Sequence, residues 1–256
     1  MLNHSPKITN FKQRLFLKYF GIISILTIII LNLPAAAQCS AESSGIVSWW
    51  SGEDNANDIV GTNNGVLIGG ASYAPGQVGQ AFLFDGSSGY VSIPDSQSLD
   101  SFVTNITIEL WIMVNQTTPN GDWRGIVTKG NSSWRLQGKN GSGTVNFAAN
   151  GVSTDLSCNK NINDNNWHHI AAVYDGTNIN IYVDGLLDAT KPATGLIFQN
   201  NDPVYLGANP EAPYPYFFNG LLDEVTLYNR ALSSEEIQNI YIAGTNGKCQ
   251  FSLAGR

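Results

Sequence analysis

Hydrophobic and polar positions along the chain change with a period of two far more often than with the period of a helix. The clearest stretch is WHHIAAVYDGTNINIYVDG, residues 167–185. It holds two apolar runs, residues 170–174 and 179–183, each closed by an Asp-Gly pair. Asp-Gly between β-rich runs signals a hairpin, because the turn needs positive φ and Gly adopts it without a Cβ clash. In the second run Ile179, Ile181 and Val183 share one face, whereas the first is apolar on both faces, as a covered central strand is. Residues 105–114 alternate as well, with Ile106, Ile108, Leu110, Ile112 and Val114 opposite Thr107, Glu109, Trp111 and Met113.

Shorter strands are predicted at 46–50, 65–68, 81–84, 90–93, 124–129, 133–137, 144–149, 186–189, 203–206 and 221–228, with a weaker one at 153–157. Residues 73–79 read as a turn. One helix is predicted, residues 234–243, with Ser233 and Glu236 as a capping box and Gly244 as its stop. The pattern is that of an all-β antiparallel sandwich with one short helix near its end.

The first 37 residues stand apart. Lys7, Lys12, Arg14 and Lys18 precede an apolar run, residues 19–33, and Pro-Ala-Ala-Ala at 34–37. That order is a secretory signal peptide, with cleavage expected before Gln38. The alternative, a retained membrane anchor, needs about 20 apolar residues, and the small-residue end favours cleavage. Gln38 occupies the place where lipidation of Cys39 would need a small residue. Residues 38–256 suit one β-domain. Losing the four basic residues takes the net charge from −7 to −11. Such acidity disfavours nucleic acid and anionic membranes as partners and suits calcium or neutral sugars. No membrane contact is expected after signal cleavage. Of three cysteines, Cys39 and Cys249 bracket the domain. Domain ends lie close together and export exposes thiols to oxidation, so a Cys39–Cys249 disulfide is expected. Cys158 remains as a free thiol or an intermolecular partner.

The loop 51–65, SGEDNANDIVGTNNG, carries Glu53, Asp54, Asn55, Asn57 and Asp58. Calcium takes six to eight oxygen ligands, which such a loop can offer. Asx turns account for the same residues equally well. Asp85, before Gly86, is open to the same two readings. His169 is expected to be structural and bonded across to Glu109. No G-x-S-x-G elbow or H-E-x-x-H site is present, and Asp223-Glu224 are adjacent, so a regular strand sends them to opposite faces. Catalysis is not expected. Trp50, Trp123, Trp134, Tyr214 and Tyr216 fall in or near expected loops and rims, where aromatic rings stack on sugars; the competing reading is core filling. Sequons occur at Asn105, Asn115, Asn131 and Asn140.

Several stretches in order resemble the laminin-G-like jelly rolls of the concanavalin A-like lectin/glucanase superfamily. They are Asp58…Gly61…Asn64-Gly65, QAFLFDG ending at Gly86, TIELW ending at Trp111, WHHIA…YDG and YVDG through Gly185, and FNGLLDEV…YNRALS ending at Ser233. The resemblance implies a two-sheet jelly roll with adjacent termini and, in many members, a structural calcium and a glycan ligand. Within it Asp58, Asp85 and Asp223 are the metal candidates, with Asp54 added locally, and Asp58 and Asp223 are expected to share an ion. The expected function is a secreted, non-catalytic module that binds a glycan or cell-surface polysaccharide. The alternative is a protein-interaction or envelope scaffold; a glycoside hydrolase is a third reading, weakened by the absence of a Glu-x-Asp-x-Glu run.

Overall fold

The computed structural model describes Met1 and residues 38–40, 43–115, 123–139, 142–209 and 216–249. The expected signal peptide, Asn140 and Tyr214 lie outside the described residues. Two antiparallel sheets face each other. The first contains β1 (Ile46–Trp50), β3 (Ser72–Pro75), β4 (Gln80–Asp85), β6 (Ile106–Val114), β11 (Trp167–Tyr174), β12 (Asn178–Val183), β13 (Leu186–Pro192) and β17 (Asn219–Tyr228). Its order is β13-β12-β11-β6-β17-β4-β3, with β1 paired to the second half of β17. The second contains β2 (Val66–Ile68), β5 (Tyr90–Ile93), β7 (Gly125–Thr128), β8 (Trp134–Gly138), β9 (Val145–Ala149), β10 (Leu156–Ser157) and β14 (Val204–Leu206), ordered β10-β9-β8-β7-β14-β5-β2. A two-residue pair, β15 (Ala208–Asn209) with β16 (Tyr216–Phe217), forms a small flap. Helix α1 (Ser234–Ala243) carries the capping box read from Ser233 and Glu236.

The fold is the two-sheet sandwich expected. Pairing in the 167–185 hairpin runs from Ile170 opposite Val183 to Tyr174 opposite Ile179. Ile106, Ile108, Leu110 and Ile112 of β6 enter the core with Phe82, Phe84, Leu136, Phe147 and Leu222. Two local readings need correction. Residues 72–75 form strand β3, leaving only the following residues as the turn, because Tyr73 packs on Phe82 (ring centroids 5.7 Å apart). In β17, a bulge between Asp223 and Thr226 breaks the alternation. Leu222 and Val225 both enter the core, so Asp223 and Glu224 both lie outside it, and Glu224 takes φ +56° to allow this.

On the outer face of the first sheet, α1 and the C-terminal segment cover the region around Glu109, His169 and Glu224. Glu109 on β6 is fully buried there and accepts from His169 Nε2 at 2.9 Å, the bond read from the sequence, and from Lys248 Nζ at 3.2 Å. Lys248 Nζ also stands 3.2 Å from Glu224 and 5.2 Å from the Trp49 ring centroid. Burial alone raises the carboxyl pKa of Glu109, but Lys248 and His169 reverse this and hold it below its usual value. The lysine is delivered by the expected Cys39–Cys249 disulfide, reinforced by backbone bonds from Ser40 to Gly247 and from Cys249 to Ser40 at 2.9 Å each. Cys158 is buried and free, its thiol pushed up to about 11, chiefly by burial.

Removing Lys248 leaves two buried carboxylates without a counter-charge, which costs about 3–5 kcal/mol. Chain entropy assigns the disulfide, across a sequence separation of 210 residues, about 5 kcal/mol. Because the disulfide holds the segment that carries the lysine, Lys248→Met and the Cys39→Ser/Cys249→Ser pair are expected to be less than additive. Urea unfolding of the parent protein, the two variants and their combination measures the coupling; strict additivity would separate the disulfide from the ion network.

Candidate functional site

The second sheet offers a different outer face. Along β8, Trp134 and Leu136 enter the core, so Arg135 and Gln137 point outward. Along β9, Val145, Phe147 and Ala149 enter the core and Asn146 faces out. The β15–β16 flap crosses β7 at Gly125, where a Cβ would stand 2.2 Å from the Ala208 carbonyl carbon, so only glycine admits the crossing. Thr128 Oγ1 fastens the flap by donating to the Ala208 carbonyl at 2.9 Å.

Between flap and sheet lies a cleft of about 290 Å³ lined by Trp123, Asn131, Arg135, Gln137, Asp155, Asn209 and Tyr216. Trp123 and Tyr216 are half-buried and Asp155 is exposed. The polar groups are oriented by one another. Asn209 Nδ2 donates to Asn131 Oδ1 at 2.7 Å, and Arg135 donates to the Asn131 carbonyl at 3.2 Å and to Asn150 Oδ1 at 3.3 Å. Asn146 Nδ2 donates to Asp155 Oδ2 at 3.2 Å and to Ser157 Oγ at 3.1 Å. Asn209 Oδ1 is buried and has no hydrogen-bond partner among the described residues. Aromatic rings beside fixed amides, a guanidinium and a carboxylate can stack on an apolar ring face while exchanging hydrogen bonds with hydroxyl groups.

The structure divides the five aromatic candidates. Trp123 and Tyr216 meet in the cleft. Trp50 and Trp134 do not: both are fully buried, Trp50 donating from Nε1 to the Asn63 carbonyl at 2.7 Å and Trp134 packing edge-on to Phe102 at 5.7 Å. Their strands place them inward, so neither ring presents a face to a ligand. Arg135, Gln137, Asp155 and Asn209 are not singled out by the sequence, which marks Asn131 only as a sequon. The alternation in WRLQG, with Arg and Gln opposite Trp and Leu, was the available signal.

The metal candidates divide too. Asp58 Oδ1 accepts from the backbone N–H groups of Trp49, Val60 and Gly61, and its Oδ2 from Asn63, at 3.0–3.2 Å. Asp85 Oδ1 accepts from Ser87, Ser88 and Gly89, and Oδ2 from both serine hydroxyls. Burial opposes the ionisation of Asp85, yet these bonds hold its carboxyl far below the usual range. Both act as loop-closing Asx residues. Asp54 is exposed, with φ +54°. Asp223 is different. Its Oδ2 accepts from Val78 N–H at 2.8 Å, while Oδ1 is buried and has no hydrogen-bond partner among the described residues. Glu53 accepts from Gln80 N–H at 3.1 Å, so both carboxylates reach the turn joining β3 to β4. Among the described residues no group of three His, Cys, Asp or Glu side chains is gathered for a metal. Asp223 and Glu53 nevertheless fit a cation completed by backbone oxygens and water.

The Laminin_G_3 family of the concanavalin A-like lectin/glucanases superfamily matches residues 85–238. The chain belongs to this family. A curated relative is the mouse basement membrane-specific heparan sulfate proteoglycan core protein, 28% identical over 149 residues; the match covers 56% of this chain and 4% of that protein. Among solved structures, domain 4 of a GH43 extracellular arabinanase from Geobacillus stearothermophilus, in complex with arabinotriose, aligns with TM-score 0.61 at 19% identity. That alignment covers 79% of this chain and all of that one. The binding domain of Paraclostridial Mosquitocidal Protein 1 aligns with TM-score 0.62 at 19% identity, over 77% of this chain and 52% of that one. A botulinum neurotoxin DC binding domain in complex with rat synaptotagmin II gives 0.61 at 16% identity, over 77% and 51%. These structural likenesses show the jelly-roll fold; the family rests on the match over residues 85–238.

Burial pushes the Asp223 carboxyl up to about 8, and the neighbouring Glu224 adds to the rise. The folded state therefore binds this proton more tightly than the unfolded chain, and the group's stability contribution is fully present near pH 4 and falls as pH rises to about 8. With chelator present, Asp223→Asn is expected to flatten this part of the melting-temperature profile. An unchanged slope in the variant would assign it to another group.

Proposed function

We propose that this protein is a secreted, non-catalytic module that binds a glycan in the cleft between the β15–β16 flap and strands β7–β9. The observation that carries this reading is the convergence of Trp123 and Tyr216 over Arg135, Gln137 and Asn209. Stacking supplies affinity with little directional demand, and the amides and charged groups supply orientation. The arabinotriose-bound arabinanase domain and the toxin domain complexed with SialylT support glycans as a ligand class. The synaptotagmin complex supports the protein-partner alternative. The Cys39–Cys249 disulfide supports an oxidising, extracellular setting. No helix among the described residues is long and apolar enough to cross a membrane.

A non-catalytic role is supported by the placement of the buried acidic residues. Glu109, Glu224 and His169 lie beneath α1 and the C-terminal segment, away from the cleft residues, and are engaged with Lys248 or with one another. A structural calcium is part of the same proposal, held at the β3–β4 turn by Asp223 and Glu53, with Asp54 alongside. Asp223 leads this set because its buried Oδ1 has no hydrogen-bond partner among the described residues, whereas each carboxylate oxygen of Asp58 and Asp85 accepts at least one bond. An ion there would stabilise the fold without entering the ligand cleft.

A glycan array that includes arabinotriose, followed by titration of the strongest ligand, tests the cleft. Trp123→Ala and Tyr216→Ala are each expected to weaken binding about tenfold or more, in keeping with the loss of one interface anchor, at unchanged melting temperature. Binding unaffected by both changes would place the ligand elsewhere, and a protein partner without glycan binding would favour the scaffold alternative.

A further inference from the structure

The loop 194–200 presents two apolar side chains to solvent, although its backbone is held on every side. Ile197 is buried in the core, while Leu196 and Phe198 on either side of it are 56% and 58% exposed. Ile197 N–H donates to the Val103 carbonyl and Phe198 N–H to the Asn150 carbonyl, both at 2.9 Å. Tyr174 Oη donates to the Gly195 carbonyl at 2.8 Å, and Ser153 N–H to the Thr194 carbonyl at 2.9 Å. Gly151 lies directly under the loop, where a Cβ would stand 2.0 Å from the Leu196 carbonyl oxygen and 2.6 Å from the Phe198 ring. Val103, 39% exposed, widens the patch. These residues form a fixed apolar knob, unlike a frayed loop whose side chains are free to fold back.

The knob adjoins the cleft. Phe198 is bonded to Asn150, and the side chain of Asn150 accepts from Arg135, which lines the cleft. A polar sugar cleft and an apolar projection therefore share one rim. The geometry points to a ligand that is itself amphipathic: a glycan borne on a lipid, its sugar in the cleft while Leu196 and Phe198 enter the interfacial zone of the bilayer beneath. This inference rests on the cleft reading, names the form in which the glycan is met and departs from the sequence-based expectation of no membrane contact, which considered net charge and not the exposure of Leu196 and Phe198. A convex pair of side chains needs no preformed cavity in a lipid interface, whereas a protein partner would have to supply a matching pocket. The acidity of the chain directs the contact to uncharged, zwitterionic lipid. Burying one Leu and one Phe tightens binding roughly tenfold to a hundredfold, enough for weak partition onto lipid alone at high vesicle concentration and enough to favour a membrane-borne glycan over the same glycan free.

The test uses the full mature chain. Cys158 is buried and the other two cysteines are paired, so Phe198→Cys provides one accessible thiol for an environment-sensitive NBD label. Val66→Cys, 60% exposed on the far edge strand β2, is the control position. On titration with phosphatidylcholine vesicles, emission from position 198 is expected to rise and shift to the blue while position 66 stays unchanged. A silent label at 198, or an equal response at both positions, overturns the lipid contact. Leu196→Ser/Phe198→Ser should abolish vesicle co-sedimentation and retain the array-identified soluble glycan within about twofold. Loss of the soluble glycan as well would make the loop part of the sugar site and overturn the division of roles. A label response at 198 from a protein that binds no soluble glycan would instead overturn the cleft reading and leave the lipid contact standing.

Discussion

Two carboxylates buried on one face of a sheet set the terms for much of this molecule. Glu109 and Glu224 stand on β6 and β17, which pair at the centre of the first sheet, and burial at such sites is unfavourable without a cation. Lys248 is that cation, with His169 as a second partner to Glu109. The lysine arrives from the end of the domain on a segment fixed by the Cys39–Cys249 disulfide and lies over Trp49. Closing the chain ends, seating the helix and neutralising the sheet are thus parts of one arrangement. The bulge at Asp223 belongs to it, since a regular strand would have turned one of the two adjacent acids into the core.

With the Glu109–Glu224 region of this face covered, the cleft proposed for ligand lies on the other sheet. There Arg135, Gln137 and Asn146 face outward and are held by hydrogen bonds, and the flap raises a wall bearing Asn209 and Tyr216. The flap can cross the sheet because position 125 has no side chain. The two faces use the same residue types differently. Carboxylates and a lysine under the helix are paired and dry, whereas Asp155 and Arg135 in the cleft retain access to solvent.

Much of the fold was legible because it rests on local rules. The period-two pattern of β6, the Asp-Gly turns, the Ser233–Glu236 cap and the spacing of Cys39 and Cys249 each have a local or chain-level cause. The Glu109–His169 bond was legible because alternation put both residues on the outer face of their strands. The site was harder to read. Composition marked Trp50 and Trp134 as well as Trp123 and Tyr216, but only the packing of the two sheets shows which rings are enclosed. Asp58 and Asp85 carried the chemistry of calcium ligands, and only their hydrogen bonds reveal that backbone N–H groups already occupy them. Asn209 was invisible because it comes to Asn131 through a flap of two-residue strands, too short to leave a periodic signal.

The central claim is that ligand is received on the outer face of the second sheet and that the corresponding face of the first is structural. Amide and indole chemical-shift mapping during titration with the array-identified glycan tests this most directly. The account predicts shifts concentrated at the Trp123 indole, the Arg135 and Gln137 backbone and the Asn209 side-chain amide, with Lys248 and Glu109 undisturbed. Shifts gathered instead around Met113, Leu221 and Leu83, on the outer side of the first sheet, would contradict it.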